Sequence, residues 1–150
     1  MSEPAERTRT VTAVRVRYPE TDRMNVAYHG HYLAWYEMGR TELMREAGCA
    51  YKDLEDQAGV FFPVIALGSR YLRPARYDDA LEVHTRLAEV AGARVRFEYE
   101  LFRQADHVLL ATGFTEHAAV GPDGRPMRLP RPLVERLQAH AVGQSKRAGF

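Results

Sequence analysis

The chain has 150 residues, of which 45% are hydrophobic and 27% are charged, and its formal net charge is +1. This length and composition predict one globular domain over residues 1–150, with loose tails at 1–9 and 142–150. The near-neutral charge disfavours nucleic acid and anionic membranes as partners, and the single cysteine, Cys49, excludes an internal disulfide framework.

The chain begins with a polar stretch that lacks the apolar core of a signal peptide, and no apolar run approaches the roughly 20 residues that span a bilayer. We therefore expect a soluble, cytoplasmic protein. Residues 10–18 alternate apolar and charged side chains, a pattern that predicts a half-buried strand. Turn-forming residues at 19–25 then predict a loop. The loop carries two carboxylates, Asp22 and Glu20, and we expect Glu20 to be solvated.

Residues 29–47 predict a long helix, because their apolar side chains recur at helical spacing. Those on one face are Tyr32, Tyr36, Gly39, Leu43 and Ala47. Gly48 follows as a candidate C-cap, and residues 51–57 predict a second, shorter helical stretch. Arg40 falls inside the apolar face. Because a buried arginine should be paired, we expect it to form an ion pair with Glu37, one turn earlier.

The rest of the chain predicts β-structure followed by one terminal helix. We expect strands, in meander-like succession, at 60–72, 80–91, 94–104 and 107–120. A hairpin turn at Gly92 joins the second and third of these strands, and residues 132–140 predict the terminal helix. One long helix facing an antiparallel sheet is an α+β layer arrangement, which is as far as the residue pattern alone leads.

The segment 18–45 resembles the N-terminal signature of the 4-hydroxybenzoyl-CoA thioesterase family. That signature reads roughly aromatic-x-x-x-D-x-x-G-apolar-V-Y-H-x-x-Y and continues into a helix with an aromatic pair and an R-T-E-L run. The matching positions are Tyr18, Asp22, Val26, Tyr28, His29, Tyr32, Trp35, Tyr36, Arg40, Thr41, Glu42 and Leu43. A second stretch, 69–83, is similar to the family's R-P-x-x-Y-D-D-x-L block.

Two positions depart from the family's pattern. The usual glycine three residues after the aspartate is Asn25 here, and asparagine tolerates the left-handed backbone about as well as any residue other than glycine. His31 stands where the family often has asparagine. That position lies near the family's acyl site, so we expect it to affect which acyl group is preferred.

The resemblance implies the hotdog fold, in which an antiparallel β-sheet wraps around one long central α-helix. It also implies a homo-oligomer, a homodimer or homotetramer, whose subunits pair through their sheets and form active sites between two chains. The implied substrate is an aryl- or acyl-CoA thioester, and the implied reaction is hydrolysis. No cofactor is expected apart from the coenzyme A that is part of the substrate.

Thioester hydrolysis needs a nucleophile and hydrogen-bond donors that stabilise the developing oxyanion. Given the matched motif, Asp22 is the expected catalytic carboxylate, acting either as nucleophile or as general base. The start of the long helix supplies free N–H groups, and the backbone amides of His29 and Gly30 are the expected donors. A general acid/base role for the His29 imidazole is the alternative. The candidates for the acyl pocket are Tyr28, His31 and Tyr32.

Other residues are candidates to bind the two ends of the substrate. The phosphates of coenzyme A are anionic and are expected to bind cationic side chains. Three arginines near turns or strand ends are candidates for this role. They are Arg73, Arg94 and Arg128. The acyl chain calls for an apolar tunnel, for which Phe61 and Phe62 are further candidates.

Several alternatives stay open at this point. Glu37 is the rival catalytic carboxylate, because some other hotdog thioesterases carry theirs on the helix. A metal site is not expected, because two histidines at i, i+2 diverge on a helix and no second cluster of ligands is evident. The acyl group could be carried by acyl carrier protein in place of coenzyme A, or the protein could bind acyl-CoA without hydrolysing it. Nucleic-acid binding is disfavoured because the arginines are dispersed along the chain.

Overall fold

The computed structural model describes residues 9–147, and the side chains of residues 9–141. Its centre is a five-stranded antiparallel sheet with the strand order β1-β3-β4-β5-β2. The strands are β1 (Arg9–Arg15), β2 (Val64–Tyr71), β3 (Ala80–Ala91), β4 (Arg94–Arg103) and β5 (Val108–Ala118). The helices are α1 (His31–Glu46), α2 (Tyr51–Asp53), which continues as a π-helical turn over Leu54–Ala58, and α3 (Arg131–Arg147).

The predicted strands are confirmed, with ends that lie within a few residues of the expected limits. The hairpin at Gly92 is also confirmed. Gly92 has a φ of 59°, a left-handed conformation that glycine adopts without steric cost, and it joins β3 to β4. Alternation of apolar and charged side chains along β4 therefore located both this strand and its turn.

The predicted meander is wrong for β2. Strands β3, β4 and β5 are consecutive neighbours, but β2 pairs with β5 at the far edge of the sheet. Residues 72–79 must therefore cross one end of the sheet, and the N–H groups of Leu72 and Arg73 both donate to the Leu110 carbonyl, at 2.8 and 3.1 Å. An alternating pattern indicates which side chains face the core but not which strand lies alongside.

Helix α1 packs across the inner face of the sheet. Trp35 and Tyr36 are buried there, and the Tyr36 ring stacks on that of Tyr99 with 4.6 Å between centroids. Gly39 permits the close approach, because a Cβ at this position would lie only 2.9 Å from Val83 Cγ1. This sheet, wrapped around one central helix, confirms the expected α+β hotdog architecture.

Both ends of α1 are set by local backbone geometry. The helix begins at His31, two residues later than expected, because residues 28–30 form a turn before it. At its other end Gly48 has a φ of 76°, which confirms the expected glycine cap. The N–H groups of Gly48 and Cys49 donate back to the last helical turn at 3.1 and 2.8 Å, forming a Schellman motif.

Helix α3 packs beside the C-terminal end of α1. Its Leu137 is fully buried, and its Arg136 donates a hydrogen bond of 2.9 Å to the Gly48 carbonyl. The helix extends to Arg147, beyond the expected end at 140 and into the segment expected to be a loose tail. The remaining tail residues, 1–8 and 148–150, lie outside the described part of the chain. No helix within that part is long and apolar enough to cross a membrane.

Candidate active site

A cavity of about 320 Å³ opens at the end of the sheet where β2 finishes. The loop before α1 and the segment that follows β2 form its walls. Four of the candidate site residues predicted from the sequence line it together: Asp22, His29, Tyr32 and Arg73. The end of β2 brings in a residue that the sequence analysis did not name, Tyr71.

A larger depression, of about 420 Å³, lies on the outer face of the sheet. Its charged side chains largely neutralise one another: Arg86 lies 3.7 Å from Glu100, and Arg96 lies 3.4 Å from Glu98. None of the candidate catalytic residues lines it. The smaller cavity is therefore the better candidate for the active site.

The loop that carries Asp22 is folded by its own backbone and by the aspartate side chain. Asp22 Oδ1 accepts the Met24 N–H at 2.8 Å, and the Asp22 N–H donates to the Val26 carbonyl at 2.9 Å. Asn25 has a φ of 63°, so the left-handed turn predicted for this position is confirmed. Among the described residues no donor is bonded to Asp22 Oδ2, and the side chain is exposed at the cavity.

Two backbone N–H groups at the start of α1 lack an acceptor among the residues that the structure describes. The Tyr28 N–H donates to the Glu20 carbonyl at 2.8 Å, and the His31 N–H donates to the Tyr28 carbonyl at 3.0 Å. Between them, the amides of His29 and Gly30 donate to no acceptor in the described part of the chain. These are the two amides that the sequence analysis named as oxyanion donors, and they lie where the helix dipole is positive.

Tyr71 fixes the position of this turn. Its hydroxyl donates to the His29 carbonyl at 2.9 Å, and its ring meets the Tyr32 ring edge-on at 4.8 Å. Tyr32 is itself buried, and its hydroxyl accepts the Ala75 N–H at 3.1 Å. Burial raises the pKa of Tyr32 despite this hydrogen bond, so its hydroxyl stays protonated at neutral pH. The two tyrosines thus hold α1, β2 and the crossing segment together around the cavity.

Comparison with known proteins identifies the family. The model of the thioesterase superfamily matches residues 24–110, which is more than half of the chain and includes most of the cavity lining. The chain belongs to the thioesterase superfamily. It is accordingly a thioester hydrolase, and the resemblance seen in the sequence is confirmed.

Individual relatives of this thioesterase agree with that assignment. The acyl-CoA thioester hydrolase YbgC of Escherichia coli is 34% identical over 122 residues, which are 81% of this chain and 90% of that protein. YneP of Bacillus subtilis is 37% identical over 92 residues, which are 61% of this chain and 66% of that protein. The crystal structure of DHNA-CoA thioesterase from Staphylococcus aureus has a TM-score of 0.82 at 30% identity, covering 92% of this chain and 95% of that one.

Two of the candidate acyl-pocket residues of the thioesterase lie just outside the cavity lining. Tyr28 is about half exposed, and its ring packs against the rings of His29 and His31, with centroids at 4.3 and 5.8 Å. The Tyr28 ring also lies over Gly30, where an added Cβ would meet Tyr28 Cε2 at 2.7 Å. A side chain at position 30 would therefore displace the Tyr28 ring from this packing.

The three candidate phosphate-binding arginines of the thioesterase are divided between two ends of the sheet. Arg73 lines the cavity. Arg94 begins β4 at the opposite end, and Arg128 is near it, because the next residue, Leu129, donates its N–H to the Gly92 carbonyl. A single chain therefore does not bring Arg94 and Arg128 to the cavity, and their role as coenzyme A contacts stays a prediction.

The phenylalanines proposed for the acyl tunnel are also distant from the cavity. Phe61 pairs through its backbone with Val120, and the Phe62 ring lies 6.0 Å from the Tyr51 ring. Both precede β2, whereas the cavity lies at the end of that strand. The eight residues of β2 separate them from the site within one chain, so their role in an acyl tunnel stays a prediction.

The predicted ion pair between Arg40 and Glu37 is confirmed, with 3.3 Å between the charged atoms. The Arg40 side chain is buried, whereas that of Glu37 is 66% exposed. Glu37 does not line the Asp22 cavity. A structural ion pair therefore describes Glu37 better than the rival catalytic role. No group of three histidine, cysteine, aspartate or glutamate side chains within the described residues is arranged to hold a metal ion.

Glu20 corrects the sequence analysis, which expected a solvated side chain. It is only 5% exposed, and its carboxylate accepts hydrogen bonds from the Arg17 N–H at 2.7 Å and from the Trp35 indole at 3.2 Å. Burial alone would raise the pKa of Glu20. The hydrogen bonds from Arg17 and Trp35, with the charge of Arg17, outweigh burial and hold the pKa below its ordinary value. Glu20 is therefore ionised at neutral pH.

Proposed function

We propose that this thioesterase hydrolyses an acyl-CoA, aliphatic or aromatic, to the free acid and coenzyme A, with Asp22 as nucleophile or general base. One observation carries the proposal: the exposed Asp22 carboxylate lines the same cavity as His29, whose free amide is followed in the chain by that of Gly30. Support also comes from the Escherichia coli and Staphylococcus aureus relatives, whose names specify an acyl-CoA and DHNA-CoA as substrates. The proposed reaction uses no cofactor besides the coenzyme A of the substrate.

The chemistry follows from these groups. The thioester carbonyl oxygen accepts hydrogen bonds from the amides of His29 and Gly30, which stabilise the negative charge that develops on it. A donor of this kind typically contributes about 10²- to 10³-fold to kcat. Asp22 either attacks the carbonyl carbon, forming an anhydride, or takes a proton from the water that attacks. In both routes the carbon–sulfur bond breaks, and the thiolate of coenzyme A leaves and takes up a proton, which the attacking water supplies in the general-base route and bulk water in the other. In the anhydride route a water molecule then hydrolyses the anhydride, which releases the free acid and restores the Asp22 carboxylate.

We further propose that two copies of the chain build the complete site by pairing their β2 strands. β2 is an edge strand, and its large apolar side chains are 41–49% exposed within one chain. Those side chains are Val64, Ile65, Leu67 and Tyr71. An exposed apolar edge strand of this kind is a ready site for pairing with another strand.

The same pairing accounts for the divided arginines. If two β2 strands pair antiparallel about a two-fold axis, the end of one sheet lies beside the opposite end of the other. The partner's Arg94 and Arg128 then lie on the side of the assembly where this chain presents Asp22 and Arg73. A homodimer, or a homotetramer built from two such dimers, would therefore bring two further cations to the side of the assembly where Arg73 lines the cavity.

The test is thiol release from short, medium, long and aromatic acyl-CoAs, measured alongside the matching acyl groups on acyl carrier protein. We expect hydrolysis of at least one acyl-CoA, with kcat/KM above that for the same acyl group on carrier protein. A higher kcat/KM with the acyl carrier protein would show that this protein carries the acyl group, and thioester hydrolysis would remain the reaction. Tight binding of every acyl-CoA without any thiol release would overturn the proposed hydrolysis.

A further inference from the structure

Glu20 is a buried anion next to the candidate active site, and the proposed chemistry does not use it. It ends a short 3₁₀ turn, Tyr18–Glu20, two residues before Asp22. The residue does not line the cavity, so it cannot contact a substrate held there. Burial of a carboxylate lowers the free energy of unfolding unless hydrogen bonds or a counter-charge satisfy its oxygens, so the partners of Glu20 matter.

The hydrogen bonds of Glu20 join three parts of the site. One carboxylate oxygen accepts the Arg17 N–H at the entry to the loop, and the other accepts the indole N–H of Trp35 on α1. The Glu20 carbonyl accepts the N–H of Tyr28, directly before the two free amides. One residue thus connects the start of the Asp22 loop, the body of the helix and the turn that presents the oxyanion donors.

Trp35 is a rigid anchor for this connection. Its side chain is 1% exposed and packs against Tyr32, with 4.8 Å between ring centroids. The Arg17 guanidinium, in contrast, lies 3.5 Å from the Glu20 carboxylate on a side chain that is 74% exposed. Solvent screens such an exposed pair, so the two hydrogen bonds from N–H donors hold the carboxylate in place.

The two acceptor oxygens of Glu20 matter as well as the shape of its side chain. A carboxylate offers two acceptor oxygens, which suit the two N–H donors that point at it. Glutamine has one acceptor and one NH₂ group, so it would leave one buried N–H facing another donor. The loss of one buried hydrogen bond would then let the loop shift relative to the helix.

We propose that Glu20 is the positioning residue of the active site, which sets the Asp22 carboxylate against the free amides of His29 and Gly30. This inference rests on the proposed function, in which those groups act on a thioester. Glu20 acts through Asp22 and makes no contact with the substrate. Misplacement of a reacting group by about 1 Å can lower the rate about 100-fold, so modest loosening here is enough to impair the reaction.

The test compares Glu20→Gln, Trp35→Phe and the double variant with the wild type, on whichever acyl-CoA the wild type hydrolyses. We expect Glu20→Gln to lower kcat about tenfold to a hundredfold, with KM changed less than about threefold. Trp35→Phe removes one donor and should lower kcat less. In the double variant the single acceptor of the introduced glutamine has only the Arg17 N–H to satisfy, so kcat should recover above that of Glu20→Gln.

A control separates positioning from general loss of stability. Leu137→Ala removes buried side-chain volume from α3 and should lower the unfolding temperature without changing kcat. If Leu137→Ala lowers kcat as much as Glu20→Gln at a similar loss of stability, the positioning role is overturned. An unchanged kcat in folded Glu20→Gln, or in Trp35→Phe where Glu20→Gln does not fold, also overturns it. Absence of hydrolysis by the wild type would instead refute the proposed function.

Discussion

At the scale of single residues, Asp22 and Asn25 lie in one short loop before α1. The matched motif pointed to Asp22 as the expected catalytic carboxylate, and Asn25 has the left-handed conformation expected at its position, with a φ of 63°. Glu20 was missed because its burial depends on the indole of Trp35, 15 residues away. Neither the spacing nor the type of Glu20 differs from that of a solvated loop carboxylate.

The left-handed backbone at Asn25 leads to a prediction about stability. Asn25→Ala should lower the free energy of unfolding by about 1–2 kcal/mol, because a Cβ-bearing residue other than Asn or Asp is strained at a φ of 63°. Asn25→Gly should stay within about 0.5 kcal/mol of the wild type, because glycine takes this conformation freely. Urea-induced unfolding measures both, with Met24→Ala at the neighbouring exposed position as the control. Equal stability of the alanine and glycine variants would show that this turn carries no strain.

At the scale of elements, periodicity located the helices and strands but not their order in the sheet. The alternation along β4 and the helical spacing along α1 reflect burial on one face, which any neighbour could provide. The pairing of β2 with β5 depends on contacts between segments distant in sequence. The cavity forms only because residues 72–79 cross the end of the sheet, so the sequence analysis could name Arg73 but not place Tyr71 beside His29.

The two edge strands give a matched pair of variants for the proposed assembly. Leu67 on β2 and Val11 on β1 are 49% and 50% exposed, so a glutamate at either position should be tolerated equally within one chain. We expect Leu67→Glu to dissociate the oligomer and lower kcat/KM, because a charge would be buried between two β2 strands. Val11→Glu should change neither property. Light scattering coupled to size-exclusion chromatography measures the mass of the assembly. Dissociation by Val11→Glu alone would place the interface at the β1 edge and overturn the proposed pairing of β2 strands.

At the scale of the whole molecule, the candidate site extends beyond the segment 18–45, which carries most of the family resemblance. One chain supplies Asp22, the two free amides and Arg73, while Arg94 and Arg128 lie at the far end of the same sheet. The resemblance pointed to Asp22, His29 and Gly30, whereas the arginines were candidates because they lie near turns or strand ends. The sequence of one chain does not describe a second copy, which in the proposed homodimer would bring Arg94 and Arg128 to the side of the cavity.

The catalytic role of Asp22 is tested by comparing Asp22→Asn with Asp123→Asn. Both aspartates lie in exposed turns, and each accepts the N–H of the residue two positions later, at 2.8 and 3.0 Å, a bond that asparagine can keep. With the acyl-CoA that the wild type hydrolyses best, Asp22→Asn should lower kcat at least about 100-fold, while KM changes less than about threefold. Asp123→Asn should match the wild type. A folded Asp22→Asn variant that keeps more than about a third of wild-type kcat would contradict the assignment of Asp22 as the catalytic carboxylate.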